Sequence, residues 1–183
     1  LDKVKTAWVY SNYIENNYKK APGILCAMEA FTNLISNYYI KDVHIVNNIL
    51  LNTQGIGFWQ GTYSALQNGY FEQVEIAHNS IIGRQTGNGA CISFSFETFL
   101  GQPAPNVHFN QIGIHRNLVS AHPDSLNNNQ LIISPCVIPS YTANYNCYGQ
   151  AVWSGMTSPT DIIDPTIPTS VPDAWGTVSG GSY

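Results

Sequence analysis

The chain has 183 residues, of which only 10% are charged, and its seven Lys and Arg face eleven Asp and Glu. The net charge of −4 leaves no basic footprint for nucleic acid or an anionic membrane surface, and no apolar run approaches the length of a membrane span. Asn, Tyr, Ser, Thr and Gly supply the polarity, which is typical of turns and strands rather than helices. We therefore predict a nearly all-β chain, without nucleic acid and without a membrane span.

A degenerate phrase recurs along the chain, with aliphatic or β-branched residues on both sides of an asparagine. The asparagines of its copies are spaced 36, 31 and 38 residues apart: Asn12, Asn48, Asn79 and Asn117. Such periods indicate stacked units that bury their apolar faces only against their neighbours. We expect these asparagines to take the left-handed backbone conformation at the coil corners. Their amides can each donate to and accept from the next coil, which predicts an asparagine ladder with a spacing of about 4.8 Å.

Each copy divides into three short strands, and the third begins at a glycine such as Gly55. Period-2 alternation predicts two inward columns on these third strands: Ile24, Ile56 and Ala90 in one, and Cys26, Phe58, Ile92 and Ile132 in the other. The connections that precede the asparagine-bearing strands are long, at roughly 30–42, 62–73 and 97–111. Their common place in the coil predicts long insertions on one side of the solenoid.

Two phrases carry a family resemblance: Val43-His-Ile-Val-Asn-Asn-Ile-Leu-Leu-Asn-Thr-Gln-Gly-Ile-Gly57 and Val74-Glu-Ile-Ala-His-Asn-Ser-Ile-Ile-Gly83. They resemble the coil of the right-handed parallel β-helix family, whose pectate-lyase-like architecture occurs in pectin-degrading enzymes, alginate epimerases, phage tailspikes and many surface proteins. The resemblance covers roughly residues 7–152 and implies an all-β, right-handed parallel β-helix (solenoid) of about four to five coils. It concerns core and corner residues, so it implies a fold rather than an activity. The coils are placed in residues 1–153, and 154–183 read as a Pro/Ser/Thr-rich closing segment and an extended tail or linker.

The outward positions of the asparagine-bearing strands hold the first candidate site. The column four residues before the ladder asparagine contains Trp8, His44, Glu75 and Gly113, and the column two before it contains Tyr10, Val46, Ala77 and His115. His44 and Glu75 should lie on adjacent rungs, close enough to pair. Beside an aromatic platform such a pair could bind a sugar and move protons, which makes these two residues the weak catalytic candidates. The alternative is a polar cross-strand pair without catalytic function.

A second candidate face lies on the glycine-led strands, where Trp59, Ser93 and Ser95 should point outward with Glu29 near the rim. The face of a Trp ring can pack on a sugar, but it can equally pack under a loop or a neighbouring chain. The predicted ligand-binding residues over both faces are therefore Trp8, Tyr10, Trp59, Glu29 and Ser93. His108 and His122 are expected to be isolated in loops. Neither a metal nor a cofactor is expected, because zinc spacing, Asp-rich calcium repeats and phosphate-binding loops are absent from the sequence.

The remaining sequence features concern the compartment and the function. Cys136 and Cys147 flank a loop and could form a disulfide in an oxidising compartment, whereas Cys26 is expected to be a buried thiol.

The first functional hypothesis is a structural or adhesive module at the cell surface or outside the cell, in an appendage, filament or envelope protein. Such a module would assemble with other chains, among them copies of itself, or bind glycans. The alternative is a carbohydrate-active enzyme (lyase, hydrolase or epimerase) or its substrate-binding half. Against an enzyme, the sequence lacks both an aligned basic residue and a closely spaced Asp pair.

Overall fold

The computed structural model describes residues 4–15, 22–30, 36–62, 67–83, 91–98, 106–121, 132–133, 140–149 and 159–163. Within these ranges all regular secondary structure is β-strand. The strands are β1 (Ala7–Tyr10), β2 (Tyr13–Glu15), β3 (Ile24–Ala30), β4 (Ser36–Val46), β5 (Ile49–Thr53), β6 (Ile56–Thr62), β7 (Gln67–Ala77), β8 (Ser80–Gly83), β9 (Ile92–Thr98), β10 (Asn106–His115), β11 (Leu118–Ala121), β12 (Ile132–Ile133), β13 (Ser140–Asn144), β14 (Cys147–Tyr148) and β15 (Ile162–Ile163).

The strands form three parallel sheets, and neighbouring strands in a sheet come from successive copies of the repeat. The first sheet has the order β1-β4-β7-β10-β13, the second β2-β5-β8-β11-β14-β15, and the third β3-β6-β9-β12. The described strand pairs are parallel throughout. The all-β fold class is thus confirmed, and the stacked parallel sheets are consistent with the predicted β-solenoid. β15 lies in the segment predicted to close the coils.

The core lies between the sheets and consists of apolar columns. Aromatic rings stack along the first and third sheets: Phe71 on Phe109 with ring centroids 4.8 Å apart, and Phe58 on Phe94 at 5.2 Å. The two stacks meet edge to face, with 5.8 Å between the centroids of Phe58 and Phe71. Offset and edge-to-face contacts stabilise aromatic pairs beyond the burial of their area. These edge-to-face contacts therefore help to hold the first and third sheets together.

The predicted asparagines are joined in chain order by hydrogen bonds, and Asn146 and Asp161 extend the line. In each step, the backbone N–H and the Nδ2 of one asparagine donate to the Oδ1 of the next. Asn48, for example, donates to the Oδ1 of Asn79 from its backbone nitrogen at 2.9 Å and from Nδ2 at 3.0 Å. The Nδ2 of Asn79 also donates to the carbonyl of Ile45 at 2.8 Å. The side-chain amide of Asn79 therefore satisfies two backbone groups of the preceding coil and bonds the side chain of Asn117 in the following one.

The left-handed residue at each corner is the one before the ladder asparagine, so the expectation that the asparagines themselves take this conformation was wrong. The φ angles of these residues lie between 52° and 57°: Ser11, Asn47, His78, Arg116 and Tyr145. The turn at this position directs the next N–H along the solenoid axis. That N–H can then share the Oδ1 of the neighbouring asparagine with the side-chain amide.

A second column of left-handed residues interrupts the long strands of the first sheet. It consists of Asp42 in β4, Gln73 in β7 and Gln111 in β10, with φ of 55–56°. Before these residues, positions 36–41, 67–72 and 106–110 pair in parallel register. The predicted long insertions are therefore shorter than expected, because their second halves are strand. His108 likewise lies on β10, stacked on Tyr70 with centroids 4.7 Å apart, and the prediction of an isolated loop residue was wrong.

The register of the third sheet differs from the predicted one by two residues at β9. Ile92 pairs with Ile56, and Phe94 pairs with Phe58. A slip of two residues preserves the inward and outward alternation, so periodicity alone cannot detect it. The prediction had aligned Gly89 with Gly55. Ile132 pairs with Ile92 and so belongs to the same column as Ile56.

Candidate functional site

An open groove of about 530 Å³ runs along the outward face of the first sheet. Its lining comes from four successive strands of that sheet: Asp42, His44, Gln73, Val74, Glu75, Gln111, Ile112, Gly113, His115, Ser140, Tyr141 and Thr142. The left-handed residues Asp42, Gln73 and Gln111 form one side of it. Because parallel strands are about 4.8 Å apart, the three strand spacings give a length of about 14 Å.

His44 lies at the centre of the most tightly bonded cluster in the groove. Its Nδ1 is 2.7 Å from Oε2 of Glu75, and its Nε2 is 3.0 Å from Oδ1 of Asp42. Trp8 stacks on the imidazole with ring centroids 3.9 Å apart and an interplanar angle of 9°. β1, β4 and β7 hold these groups in place because Trp8, His44 and Glu75 pair directly in register. The structure thus brings together His44 and Glu75 as the sequence predicts, and it adds Asp42.

The two carboxylates determine the protonation of His44. An ionised carboxylate only accepts hydrogen bonds, so this arrangement favours the protonated ring, in which both imidazole nitrogens donate. Burial by itself lowers the pKa of His44, but the hydrogen bonds to Glu75 and Asp42 and the negative charges of both residues raise it, and the net shift is upward. In the protonated ring neither nitrogen has a free lone pair, so in that form His44 carries positive charge and orients the carboxylates.

Gly113 and His115 form the next part of the groove. Gly113 is paired with Glu75 and leaves the position beside that carboxylate without a side chain. A Cβ at Gly113 would lie 2.6 Å from Nε2 of His115, so the imidazole occupies the space above the glycine. Nδ1 of His115 is 2.7 Å from Oδ1 of Asn144 and therefore donates to it. Nε2 lies above Gly113 and is hydrogen-bonded to the hydroxyl of Thr142 at 3.4 Å, and both His115 and Thr142 line the groove.

The predicted ligand-binding residues divide between two faces. Trp8 and Tyr10 lie on β1 of the first sheet, with 60% and 64% of their surface exposed. Trp59 lies on β6 of the third sheet, between Ala27 and Ser95, and is partly buried. Ser93 pairs with Gly57 and not with Trp59, and Glu29 pairs with Gly61 in the same sheet, where its backbone alone is described. The structure therefore does not combine these five residues into one site.

Sequence reasoning missed the contributions of Asp42, Tyr141 and Thr142 to the groove. In the sequence, Asp42 has no other Asp close to it. A signal was present six residues before each ladder asparagine, where a polar residue recurs: Thr6, Asp42, Gln73, Gln111 and Ser140. Asn146 was missed because its strand, Ser140–Asn144, lacks the usual pair of aliphatic residues.

The predicted cysteine and loop features lie partly outside the described residues. Cys136 and His122 are not described, so the Cys136–Cys147 disulfide stays a prediction. Cys26 is fully buried, and burial raises the pKa of its thiol to about 12. The buried thiol expected at this position is therefore present.

Three further observations bear on the class of protein. In the described part of the chain, no group of three or more His, Cys, Asp or Glu has the arrangement needed to hold a metal ion. No helix among the described residues is long and apolar enough to span a lipid bilayer. In comparisons with known proteins, no family model, curated protein or solved structure matched the chain.

Proposed function

We propose that the chain is an adhesive module that binds a glycan in the groove of the first sheet. In this proposal the solenoid is a right-handed β-helix of about four to five coils, with the architecture of the family it resembles, and it acts outside the cell or at the cell surface. The extracellular placement rests on the low charge content and on that resemblance.

The observation that carries the proposal is the exposed Trp8 next to the polar groove. One face of its indole is covered by His44, while 60% of the residue remains exposed. An aromatic face packs on the apolar side of a sugar ring, and nearby carboxylates and imidazoles bond its hydroxyls. Trp8 lies against His44 beside the groove, and the groove offers polar groups along about 14 Å, a length that suits a chain of sugar rings better than a single ring.

The bonding of His44 supports binding rather than catalysis. A general base needs a nitrogen that can accept a proton, and in the protonated form, which the raised pKa favours, both nitrogens of His44 donate to carboxylates. The same bonds hold Glu75 and Asp42 in fixed positions. A rigid set of polar groups reduces the entropy lost when a ligand binds.

Titration of soluble oligosaccharides into the protein, followed by calorimetry, tests the proposal. Replacement Trp8→Ala should weaken binding at least about tenfold, because it removes the aromatic platform. Trp59→Ala is the matched control, since it removes a Trp from the third sheet and should leave affinity unchanged. If Trp59→Ala alone abolished binding, the ligand would occupy the other face. The absence of binding to any glycan in a broad panel would contradict the proposal.

A second candidate function is glycoside hydrolysis, favoured by one observation. Two carboxylates, Asp42 and Glu75, border the same open groove, and hydrolases of this kind use a carboxylate pair. Incubation of the protein with polysaccharides, with measurement of new reducing ends, tests this function. Activity that is lost in both Asp42→Asn and Glu75→Gln would establish an enzyme. Glycan binding without new reducing ends would leave the adhesive function.

Assembly with other chains is the third part of the proposal. β1 and β2 lie at the ends of their sheets and pair on one side only within the described residues. Trp8, Tyr10 and Tyr13 on these strands are each more than half exposed. Edge strands with exposed aromatic residues are sites for pairing with a further strand. Sedimentation velocity over a range of concentrations should show self-association that is weakened by Tyr13→Ser, and a monomer at all concentrations would contradict self-assembly.

A further inference from the structure

The geometry points to a ligand class for the groove: we infer that it selects glycans with a protonated amine, of the glucosamine type, and rejects uronate polymers. This inference rests on the proposed glycan-binding function and adds the charge of the ligand to it. Three features of the groove support it: its charges, its unused carboxylate oxygens and the exposure of Glu75 to solvent.

The fixed charges of the groove lining are acidic. The lining contains two carboxylates, Asp42 and Glu75, and two histidines, His44 and His115, but neither Lys nor Arg. Two described lysines lie outside this lining. Lys5 and Lys41 line a neighbouring cavity of about 560 Å³ that shares Asp42 and Gln73 with the groove, and the Nζ of Lys41 is 3.8 Å from Glu72. The guanidinium of Arg116 lies over the ring of Tyr145, 5.6 Å from its centroid.

Each carboxylate keeps one oxygen for a ligand. His44 uses Oε2 of Glu75 and Oδ1 of Asp42, and neither Oε1 of Glu75 nor Oδ2 of Asp42 accepts a hydrogen bond from a described residue. Carboxylate oxygens accept but do not donate, so they fit a hydroxyl or an ammonium. A charge-assisted hydrogen bond from an ammonium is roughly twice as strong as one from a neutral donor. An amine therefore gains more from these oxygens than a hydroxyl does.

A ligand amine can approach Glu75 from the solvent side, since 44% of this side chain is exposed. On one side of Glu75 the neighbouring rung carries His44, and on the other it carries Gly113, above which the imidazole of His115 lies. A sugar carboxylate at the exposed side of Glu75 would face its ionised carboxylate at short range, and like charges in this position repel. This approach thus favours an ammonium and disfavours a uronate.

Calorimetry with three oligosaccharides of equal length tests the inference: glucosamine, N-acetylglucosamine and galacturonate oligomers. At about pH 6 and low salt, where carboxylates are ionised and a sugar amine is protonated, the amine should bind at least about tenfold more tightly than its N-acetylated counterpart. The galacturonate oligomer should not bind measurably. The preference for the amine should shrink with added salt, because both partners are accessible to solvent.

Two groove variants and one control assign the preference to the carboxylates. Glu75→Gln should reduce the affinity ratio of amine to N-acetyl ligand to near one, and Asp42→Asn should reduce it in part while keeping a residue that tolerates the left-handed conformation. Glu72→Gln makes the same chemical change outside the groove and should keep the ratio. The thermal unfolding midpoint of each variant shows whether it is folded. If Glu75→Gln does not fold, the affinity ratio of Asp42→Asn decides whether the carboxylates cause the preference.

The outcomes separate this inference from the function beneath it. Equal binding of the amine and N-acetyl oligomers, with loss of both in Trp8→Ala, would overturn the charge preference and leave glycan binding intact. Measurable binding of galacturonate in the groove would also overturn it. If none of the three oligomers and no other glycan bound, the proposed function itself would fail and the preference with it.

Discussion

At His44, two carboxylates and an indole ring act on one imidazole, and the consequence is a dependence of stability on pH. The pKa of His44 in the folded chain is raised above its ordinary value of 6.5, since the hydrogen bonds and charges of Glu75 and Asp42 outweigh the effect of burial. A raised folded pKa means that the folded state binds the proton more tightly than the unfolded state. The stabilisation is therefore complete below the unfolded pKa and is lost as the pH rises through the folded pKa.

The variant His44→Gln should make this dependence visible. At pH 6 the wild-type chain should have the higher thermal unfolding midpoint, and the difference should diminish as the pH rises towards 9, because the deprotonated ring keeps only one N–H for two carboxylates. NMR titration of the imidazole should give a pKa above that of a free histidine. A pKa at or below the ordinary value, or a difference in midpoint that is constant over this pH range, would contradict the assignment.

The asparagine ladder supplies a comparison between two residues of the same kind. Asn79 is 1% exposed and bonds both neighbouring coils, whereas Asn12 is exposed at the first rung. Asn79→Leu leaves the backbone N–H of Asn48 and the carbonyl of Ile45 buried without their partner, at a cost of about 1–3 kcal/mol for each group.

Urea denaturation should therefore show a much larger loss of unfolding free energy for Asn79→Leu than for Asn12→Leu. His44→Ala should also cost less than Asn79→Leu, because its partners remain accessible to water. Equal losses at positions 79 and 12 would mean that burial of the ladder does not contribute to stability.

Between β5 and β6, the chain turns at Gly55, which has a φ of 71°. A Cβ at this position would collide with the backbone of Cys91 in the neighbouring coil. Gly55→Ala should therefore destabilise the fold by about 2–5 kcal/mol, from the left-handed conformation and the overpacking together. Gly57→Ala is the control, since its Cβ would lie 3.3 Å from the Leu25 side chain and φ is not left-handed there. Chemical denaturation of both variants checks this, and comparable losses would contradict the account of the corner.

The elements show which features the sequence could predict. The register of the first sheet was predictable because each ladder asparagine marks the end of a strand, and His44 therefore pairs with Glu75 as expected. The third sheet has no such marker, and a two-residue slip at Ile92 left the alternation unchanged. The bends at Gln73 and Gln111 were not predictable from residue preference, because Gln is not among the residues enriched in the left-handed conformation. Without those bends, the groove and the role of Asp42 could not be inferred.

In the whole molecule, each strand contacts mainly the equivalent strands of adjacent coils, so stability should vary along the solenoid axis. Opening a central coil breaks two interfaces, whereas opening a terminal coil breaks one. The corners provide equivalent amides with which to measure this variation. Each donates a 2.8 Å bond to the carbonyl of a ladder asparagine in the previous coil: Ile49, Ser80, Leu118, Cys147 and Ile162.

Native-state hydrogen exchange at these amides should follow position along the axis rather than bond length. We expect Ser80 and Leu118, in the central coils, to exchange more slowly than Ile49 near the first rung and Ile162 in the last strand of its sheet. Asn79→Leu should accelerate exchange at Ser80 and Leu118, because it weakens the interfaces on both sides of that coil. Equal protection at the central and terminal corners would mean that the coils unfold as one cooperative unit. A terminal coil could then not open independently to pair with another chain.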